Sequence, residues 1–316
     1  MKVDVLALEN CGPGALGVTL DVLEIVNRLA QRTVFDWRVL CVEGSKARAR
    51  GGLQIAAQSL DRARPRDLVI VLGIGALAAE DVRPRLESRE ATQAAKWLRQ
   101  AWQSGSAVAA SCTGVFLLGA SGLLDDRRCT TTWWLVPTLA ELYPSCCVEA
   151  DAMVTEDRRV WTSGASFSHI DLMLSLATRF AGPELATKAA RYLVVDQRAS
   201  QARYVIPAFL AAQDPLATQV EGYVRKRLAQ RIELDKMAGS MGTSGRTLSR
   251  RIRRVTGLSP MRFVQKIRVD AALHLLDTTR LPLAAIAERV GFSDPSALYR
   301  LTVRHTGRTP TEFRSR

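Results

Sequence analysis

The sequence predicts an α/β domain with a parallel sheet, followed by an all-α domain that contains two helix-turn-helix units. Three observations support this prediction. Apolar strand-like runs alternate with helical periodicity over the first 200 residues, positive charge is concentrated in the last 116, and two similar helix-turn-helix patterns occur 49 residues apart. A chain of 316 residues is also longer than a domain with a single hydrophobic core usually is. We therefore expect a first domain over 1–200, a linker over 201–214 and a DNA-binding domain over 215–316.

The first domain is predicted from alternating strands and helices. In chain order, the pattern indicates strands at 2–8, 34–42, 53–57, 67–72 and 107–110, and helices at 16–29, 91–103 and 114–122. The run at 67–72 is short, apolar and rich in β-branched residues, as is typical of a central parallel strand. This alternation predicts a parallel sheet that is covered by helices on both faces.

A strand that turns abruptly into a helix at Ser111-Cys112-Thr113 has the pattern of a nucleophile elbow, the sharp turn that presents a reactive side chain. Cys112 would lie near the positive end of the following helix, which favours the thiolate. The small residue Gly114 permits a tight turn there. The same pattern also fits a cysteine that belongs only to the core.

The residues around this elbow resemble the PfpI-like domain of the GlxA group of regulators. The resemblance rests on Cys112-Thr-Gly-Val-Phe-Leu-Leu-Gly-Ala-Ser-Gly-Leu-Leu-Asp125 and on Arg127-Arg-Cys-Thr-Thr-Thr-Trp133, and it covers about residues 1–195. It implies a flavodoxin-like fold similar to that of class I glutamine amidotransferases, with Asp21 at the family's acidic position. The ligand pocket that it implies is lined by Asp21, Gly73, Cys112, Thr113, Thr132 and Trp133.

The sequence departs from the family pattern at Thr132, where many members carry a histidine. Threonine cannot act as a general base near neutral pH. His169 starts an apolar helix and is interpreted as a helix-end residue. We therefore predict a catalytically inactive domain that binds a small effector and needs no cofactor or metal. The resemblance suggests amino-acid-derived or quaternary ammonium effectors, which Trp133 or Trp134 would face unless both are simply packed.

Charge separates the two ends of the chain. The first 200 residues hold 23 Lys and Arg against 22 Asp and Glu, whereas the last 116 hold 21 against 9. Such a basic segment attracts polyanions. No apolar run reaches the roughly 18 residues of a membrane span, and the six cysteines show no CxxC or zinc-like spacing. We expect a cytoplasmic protein with reduced thiols and no membrane partner.

The basic segment contains an internal repeat. Ala238, Gly242 and Ser244 recur at the same spacing 49 residues later, and Ser244 and Ser293 are predicted to cap the second helix of each unit. A single helix after Pro260 should connect the units. With roughly 18 residues it would span about 27 Å, which would place the two recognition helices about one DNA turn, or 34 Å, apart.

The segment Val290-Gly-Phe-Ser-Asp-Pro-Ser-Ala-Leu-Tyr-Arg300, with Thr306-Gly-Arg-Thr-Pro310 and Phe313-Arg314, resembles the signature of AraC-type regulators over about 216–316. The base-reading faces that it implies contain Ser244, Arg246, Thr247, Arg250, Arg251, Pro295, Ser296, Tyr299 and Arg300. Arg253, Arg254 and Arg304 lie later on their helices and are predicted to contact phosphates.

The leading hypothesis is a transcription regulator that binds double-stranded promoter DNA under the control of a small effector. The first domain would be the sensor and, as the family resemblance implies, the dimerisation domain of a homodimer. One alternative is an amidase or hydrolase of the PfpI-like kind that uses Cys112 and carries an appended DNA-binding domain. A second alternative is an architectural DNA-binding protein with no effector.

Overall fold

The protein divides into two compact units, and each is described by itself. The structure is a computed structural model that describes residues 1–314 apart from the side chain of His305. The first unit covers Met1–Gln201, and the second begins at Ala202.

The first unit contains eleven strands. They are β1 Lys2–Leu6, β2 Asp36–Cys41, β3 Lys46–Arg48, β4 Gln54–Ala56, β5 Gln58–Ser59, β6 Leu68–Val71, β7 Ala107–Ser111, β8 Arg128–Cys129, β9 Cys147–Val148, β10 Val154–Asp157 and β11 Val160–Ser163. Seven of them form one sheet in the order β10-β11-β7-β6-β1-β2-β5, while β3 pairs with β4 and β8 with β9. All pairs in the large sheet are parallel except β10 with β11.

Helices cover both faces of this sheet. They are α1 Pro13–Ala30, α2 Ala79–Leu86, α3 Arg89–Gln103, α4 Gly114–Ala120, α5 Val136–Leu142, α6 His169–Ala181 and α7 Pro183–Tyr192, with short 3₁₀ turns at Arg50–Gly52, Leu60–Arg62 and Ser166–Ser168. Helices α1, α6 and α7 pack with one apolar core, and α2 to α5 pack with the other. The α/β fold with a mostly parallel, flavodoxin-like sheet is thus confirmed.

Strand β6 explains why the sequence pattern was informative. All four of its residues are completely buried, because β1 and β7 lie on either side of it and helices cover both faces. The predicted strand at 53–57 is different, since β4 pairs antiparallel with β3 outside the large sheet. The antiparallel hairpin of β10 and β11 was not predicted, because Arg158 and Arg159 form its turn with positive φ and lack the usual glycine or asparagine.

The second unit is helical. Its helices are α8 Pro207–Ala211, α9 Pro215–Arg225, α10 Leu234–Gly239, α11 Gly245–Thr256, α12 Pro260–Thr278, α13 Leu283–Arg289, α14 Pro295–Thr306 and α15 Pro310–Arg314, after a 3₁₀ turn at Ala202–Tyr204. Two apolar cores share α12. Phe263 and Ile267 belong to the core around α9 and α11, whereas Ala272 and Leu276 belong to the core around α13 and α14. One continuous helix therefore supports both helix-turn-helix units.

The segment predicted as a linker has a different organisation. Gln201 belongs to the first unit, and residues 202–214 belong to the second. Within it, Leu210 and Ala211 are buried, and helix α8 contacts α9, α11 and α12. The polar composition of this segment and its flanking prolines predict a linker between the domains. The apolar residues of α8 instead pack against the second unit.

Candidate DNA interface and elbow site

The first helix-turn-helix unit consists of α10, a turn and α11. Ala238 is completely buried beneath the turn, and Gly242 has a left-handed φ of +65°. Ser244 caps α11, since its hydroxyl oxygen accepts a hydrogen bond of 3.2 Å from the backbone N–H of Thr247. The predicted cap is confirmed, and it shows that the Ser244 hydroxyl helps to start the helix.

The second unit consists of α13, a turn and α14, and it contains one more residue before the helix. The N-cap is Asp294, not Ser293 as predicted, because Pro295 occupies the first helical position and the Asp294 carboxylate accepts from the Ser296 N–H at 2.8 Å. The recognition helices are therefore offset by 50 residues, although the turns before them are offset by 49.

The ends of the two recognition helices repeat the same structure. Thr256 accepts a hydrogen bond from the Leu258 N–H at 3.1 Å, and Thr306 accepts one from the Arg308 N–H at 3.1 Å. In each case the next residue is a glycine in the left-handed conformation. Sequence reasoning missed this second repeat, although the Thr-Gly-x-Ser/Thr-Pro pattern was visible in both units.

A row of basic side chains lies on the outward side of α11 and α14. Leu248, Ile252 and Leu298 are completely buried, and they fix the inward sides of the helices. The exposed side chains on these helices and at their caps are Ser244, Arg246, Thr247, Arg250, Arg253, Arg254, Ser296, Tyr299, Arg300 and Arg304. Pro295 is half-buried at the start of α14.

The 50-residue offset places equivalent arginines on the two helices. Arg250 corresponds to Arg300, and Arg254 corresponds to Arg304. Within the described residues, Arg246, Arg250, Arg253 and Arg254 make no ion pair or hydrogen bond through their side chains. Arg300 lies 3.6 Å from Asp294, and both side chains are largely exposed, so this pair holds the arginine only weakly.

Arg251 is the exception on α11. Its Nε donates a hydrogen bond of 2.7 Å to the carboxylate of Asp214, which is 6% exposed and also caps α9. Burial tends to raise the pKa of this carboxyl, but the hydrogen bonds from Arg251 and from the α9 N–H groups outweigh it and lower the pKa. Arg251 therefore joins α11 to α9, a contact that the helical pattern alone does not reveal.

The elbow of the first unit has the predicted geometry. Cys112 follows β7 with φ of +53°, and its N–H donates to the carbonyls of Ser163 at 3.1 Å and Gly164 at 2.8 Å. Thr113 is buried, and its hydroxyl accepts from the Ile74 N–H at 3.1 Å. A Cβ at Gly73 would lie 3.1 Å from the same hydroxyl, so the two loops approach closely.

The thiol of Cys112 is not activated. Burial raises its pKa, and it outweighs the hydrogen bonds from Thr113 and Ser166 and the charge of Arg50, which act in the opposite direction. The following helix, α4, is only seven residues long. Desolvation is therefore a larger effect than the helix N-terminus, and it favours the interpretation of Cys112 as a core residue over that of a reactive thiolate.

Two threonines and a tryptophan pair lie on the segment before α5. Thr131 donates a hydrogen bond of 2.8 Å to the carbonyl of Cys112. Thr132 is completely buried, and its hydroxyl has no partner among the described residues. Trp133 and Trp134 are half-buried and pack edge to face, with centroids 5.2 Å apart. This segment brings Thr131 to the elbow and leaves one buried hydroxyl unpaired.

Asp21 does not contribute to a pocket. Its side chain is exposed on α1, whereas Ala15 and Thr19 are buried on the inward side of the same helix. The spacing of these residues places Asp21 away from the buried side of the helix. Asp21, the acidic residue implied by the family resemblance, therefore does not lie at the elbow.

His169 is completely buried beneath the elbow. Its Nε2 lies 2.7 Å from the Thr19 hydroxyl, and its Nδ1 lies 2.8 Å from the hydroxyl of Ser111. Because Thr19 donates its only hydroxyl proton to the Ala15 carbonyl, it accepts from Nε2–H, and Ser111 donates to Nδ1. Both ring nitrogens are occupied, so His169 is a structural residue and not a base for Cys112.

We expect acid to destabilise the first unit through His169. Burial lowers its pKa to about 4, so between pH 6.5 and 4 the unfolded chain binds a proton that the folded chain excludes. The contribution of His169 to the free energy of unfolding is fully present above pH 6.5. The free energy of unfolding then falls by about 3 kcal/mol as the pH approaches 4. Denaturant titrations that follow tryptophan fluorescence report this unit, because all six tryptophans lie between Trp37 and Trp161. The matched variant His169→Gln should lack this component, and equal pH dependence in both proteins would contradict the assignment.

The last residue of the first unit is anchored beside the elbow. The side-chain amide of Gln201 donates to the carbonyl of Thr131 at 2.8 Å and to the hydroxyl of Thr130 at 3.1 Å. Gln201 is 2% exposed. Thr131 thus contacts the backbone of Cys112 on one side and Gln201 on the other, which links the elbow to the end of the unit.

Comparisons with known proteins agree with the two-unit organisation. Residues 18–179 match the family model of the DJ-1/PfpI family, and residues 237–316 match that of a helix-turn-helix domain. The HTH-type transcriptional regulator GbdR of Pseudomonas aeruginosa is 27% identical over 295 residues, which cover 92% of this chain and 78% of that protein. The regulator GlxA of Rhizobium meliloti is 27% identical over 69% of this chain and 68% of its own length.

A solved structure is similar as well. The crystal structure of an AraC family transcriptional regulator from Pseudomonas putida has a TM-score of 0.51 and 25% sequence identity, and the match covers 61% of this chain and 98% of that one. Within the part of the chain that the structure describes, no helix is both long and apolar enough to cross a membrane.

Proposed function

Because the chain belongs to the DJ-1/PfpI family and ends in an AraC-type helix-turn-helix domain, we propose that it is a sequence-specific DNA-binding transcription regulator. Its second unit binds double-stranded promoter DNA through the outward sides of α11 and α14. Its first unit binds a small effector at the elbow. The names of its relatives, which are HTH-type transcriptional regulators, support this proposal.

The observation that carries the proposal is the duplicated basic surface. Arg250 and Arg300 occupy equivalent, exposed positions on two helices that both end at a glycine in the left-handed conformation. Arginine recognises guanine in the major groove through two hydrogen bonds, and exposed arginines later on each helix suit phosphates. Arg251 is left out of the interface because it binds Asp214.

Hydrolysis at Cys112 is the alternative function, and the site chemistry disfavours it. The thiol has a raised pKa, Thr132 cannot take a proton, and both nitrogens of His169 are engaged. A cysteine nucleophile needs a thiolate or an adjacent base. We therefore propose that the first unit is a ligand-binding domain without catalytic activity.

The contacts around Gln201 support coupling between effector and DNA binding. A ligand that displaces the Cys112 loop would change the contacts of Thr131, and through them the hydrogen bonds that hold Gln201. Gln201 is the last residue before the second unit. The homodimer that the family resemblance implies remains a prediction within this proposal.

The proposal is tested by selecting binding sites from random duplex DNA with the full-length chain, followed by hydroxyl-radical footprinting. We expect an enriched motif with two protected segments about one helical turn, or roughly 10 base pairs, apart on one side of the duplex. Affinity should fall steeply with salt. Recovery of unenriched DNA, or protection without periodicity, would rule out sequence-specific binding by the two helices.

A further inference from the structure

Arg50 differs from the other shielded arginines of the first unit. Six arginines of this unit are buried or half-buried, and five of them donate hydrogen bonds to carbonyl or side-chain oxygens. These five are Arg38, Arg66, Arg85, Arg127 and Arg198. Within the described residues, the half-buried guanidinium of Arg50 has no hydrogen bond and no ion pair. A partly desolvated cation without a partner is costly, and it suits an anionic ligand.

The position of Arg50 is fixed by its backbone. Its N–H donates a hydrogen bond of 3.1 Å to the carbonyl of Cys11, in the loop that leads into α1. A Cβ added to Gly12 would lie 3.6 Å from Nη2 of Arg50 and 3.9 Å from Oγ of Ser166. The guanidinium therefore lies directly beside the start of α1, close to Ser166.

Cys112 lies near the Arg50 guanidinium and the start of α1. The backbone of Ser166 and the charge of Arg50 both act on its thiol and lower the pKa, although burial outweighs them. Gly12, Arg50, Cys112 and Ser166 are all half-buried, so each is partly accessible from outside. Because the thiol remains protonated, Cys112 does not supply the negative charge that would neutralise Arg50.

The start of α1 adds to the positive potential. This helix is 18 residues long, it has no acidic residue in its first turn, and Gly12 offers no side chain to cap it. Free N–H groups at a helix start favour anions. The nearby Glu90 is already paired with Arg85, so it is not available to Arg50.

We propose that the effector of this protein carries a carboxylate, and that Arg50 binds it at the elbow between Gly12, Ser166 and Cys112. This inference rests on the proposed effector-binding role of the first unit. The planar guanidinium matches a carboxylate through two parallel hydrogen bonds. In this proposal the Ser166 hydroxyl, which lies 3.9 Å from the same Cβ position at Gly12, donates a hydrogen bond to the carboxylate.

Two alkylating reagents of the same size test the proposal on the full-length protein. Iodoacetate carries a carboxylate, and iodoacetamide carries a neutral amide in its place. Both require the thiolate, so the ratio of their rates at one cysteine does not depend on the pKa of that thiol. Mass spectrometry measures this ratio at Cys112, with the exposed Cys147 of the same chain as the internal reference.

We expect the iodoacetate to iodoacetamide ratio to be about tenfold higher at Cys112 than at Cys147, as a charged hydrogen-bond partner would produce. Arg50→Gln should reduce it to the value at Cys147, and Arg50→Lys should retain part of it. The matched control Arg48→Gln, two residues away and exposed, should leave the ratio unchanged.

Equal ratios at the two cysteines would overturn the proposal, as would an unchanged ratio in Arg50→Gln. Absence of labelling at Cys112 by both reagents at an alkaline pH, where the thiolate forms, would overturn it too, because a small ligand could not then reach the site. The ratio of labelling rates is measured without DNA and does not depend on DNA affinity. A failed carboxylate site and a failed DNA-binding function are therefore distinguished by separate experiments.

Discussion

Arg250→Ala and Arg300→Ala are each expected to weaken binding to the selected promoter site about tenfold to a hundredfold. Each change removes one arginine that is exposed on a recognition helix and free, or nearly free, of protein partners. An arginine that reads a base pair contributes about 1–3 kcal/mol of discrimination. Because the lost contact is sequence-specific, affinity for unrelated DNA should fall much less.

Gel-shift titrations at fixed salt measure this effect, with circular dichroism to show that both variants are folded. Lys226→Ala is the matched control, because it removes one exposed positive charge just after α9 and belongs to neither recognition helix. It should reduce affinity for selected and unrelated DNA alike, and only slightly. If Arg250→Ala and Arg300→Ala behave like this control, the assigned recognition surfaces are wrong.

Gly291→Ala should unfold the second unit far more readily than Gly242→Ala, although the two glycines are equivalent in the repeat. Both have left-handed backbones, which cost a non-glycine residue about 1 kcal/mol. A Cβ at Gly242 would meet nothing within 4 Å, whereas one at Gly291 would overlap the carbonyl oxygen of Leu228 and lie 2.8 Å from the Arg268 guanidinium carbon. A clash with backbone adds several kcal/mol, because neither chain segment can move alone.

Thermal unfolding followed by helical circular dichroism compares the two variants, while tryptophan fluorescence serves as the internal control, since the second unit contains no tryptophan. We expect about 1 kcal/mol of destabilisation for Gly242→Ala and about 3–5 kcal/mol for Gly291→Ala, with loss of DNA binding in the latter. Similar losses in the two variants would show that the second turn is not packed as described.

The sequence predicted best where local pattern and packing coincide. The run at 67–72 became β6, the central strand, and the abrupt turn at Ser111-Cys112-Thr113 became an elbow with positive φ at the cysteine. The helical spacing of apolar residues at 16–29 became α1. In these places neighbouring residues alone determine the outcome, so a single sequence contains the information.

The sequence was less informative where distant residues determine a contact. Arg251 resembles its neighbours on α11 in sequence, but Asp214, 37 positions earlier, binds it. For Cys112 the sequence leaves two interpretations open, and the burial that raises the pKa of its thiol favours the core cysteine. Arg50 carries no signal in the sequence, because an unpaired guanidinium can be recognised only when every surrounding side chain is known.

Helix α12 has a consequence for the DNA that this protein can recognise. It contains no glycine, its only proline is at its first position, and its two halves are embedded in different cores. If a promoter gained one base pair between its two contacted segments, the second segment would turn by about 34° around the duplex axis. A continuous helix without a hinge cannot follow that rotation. Target sequences should therefore tolerate base changes between the contacted segments, but not changes in the distance that separates these segments.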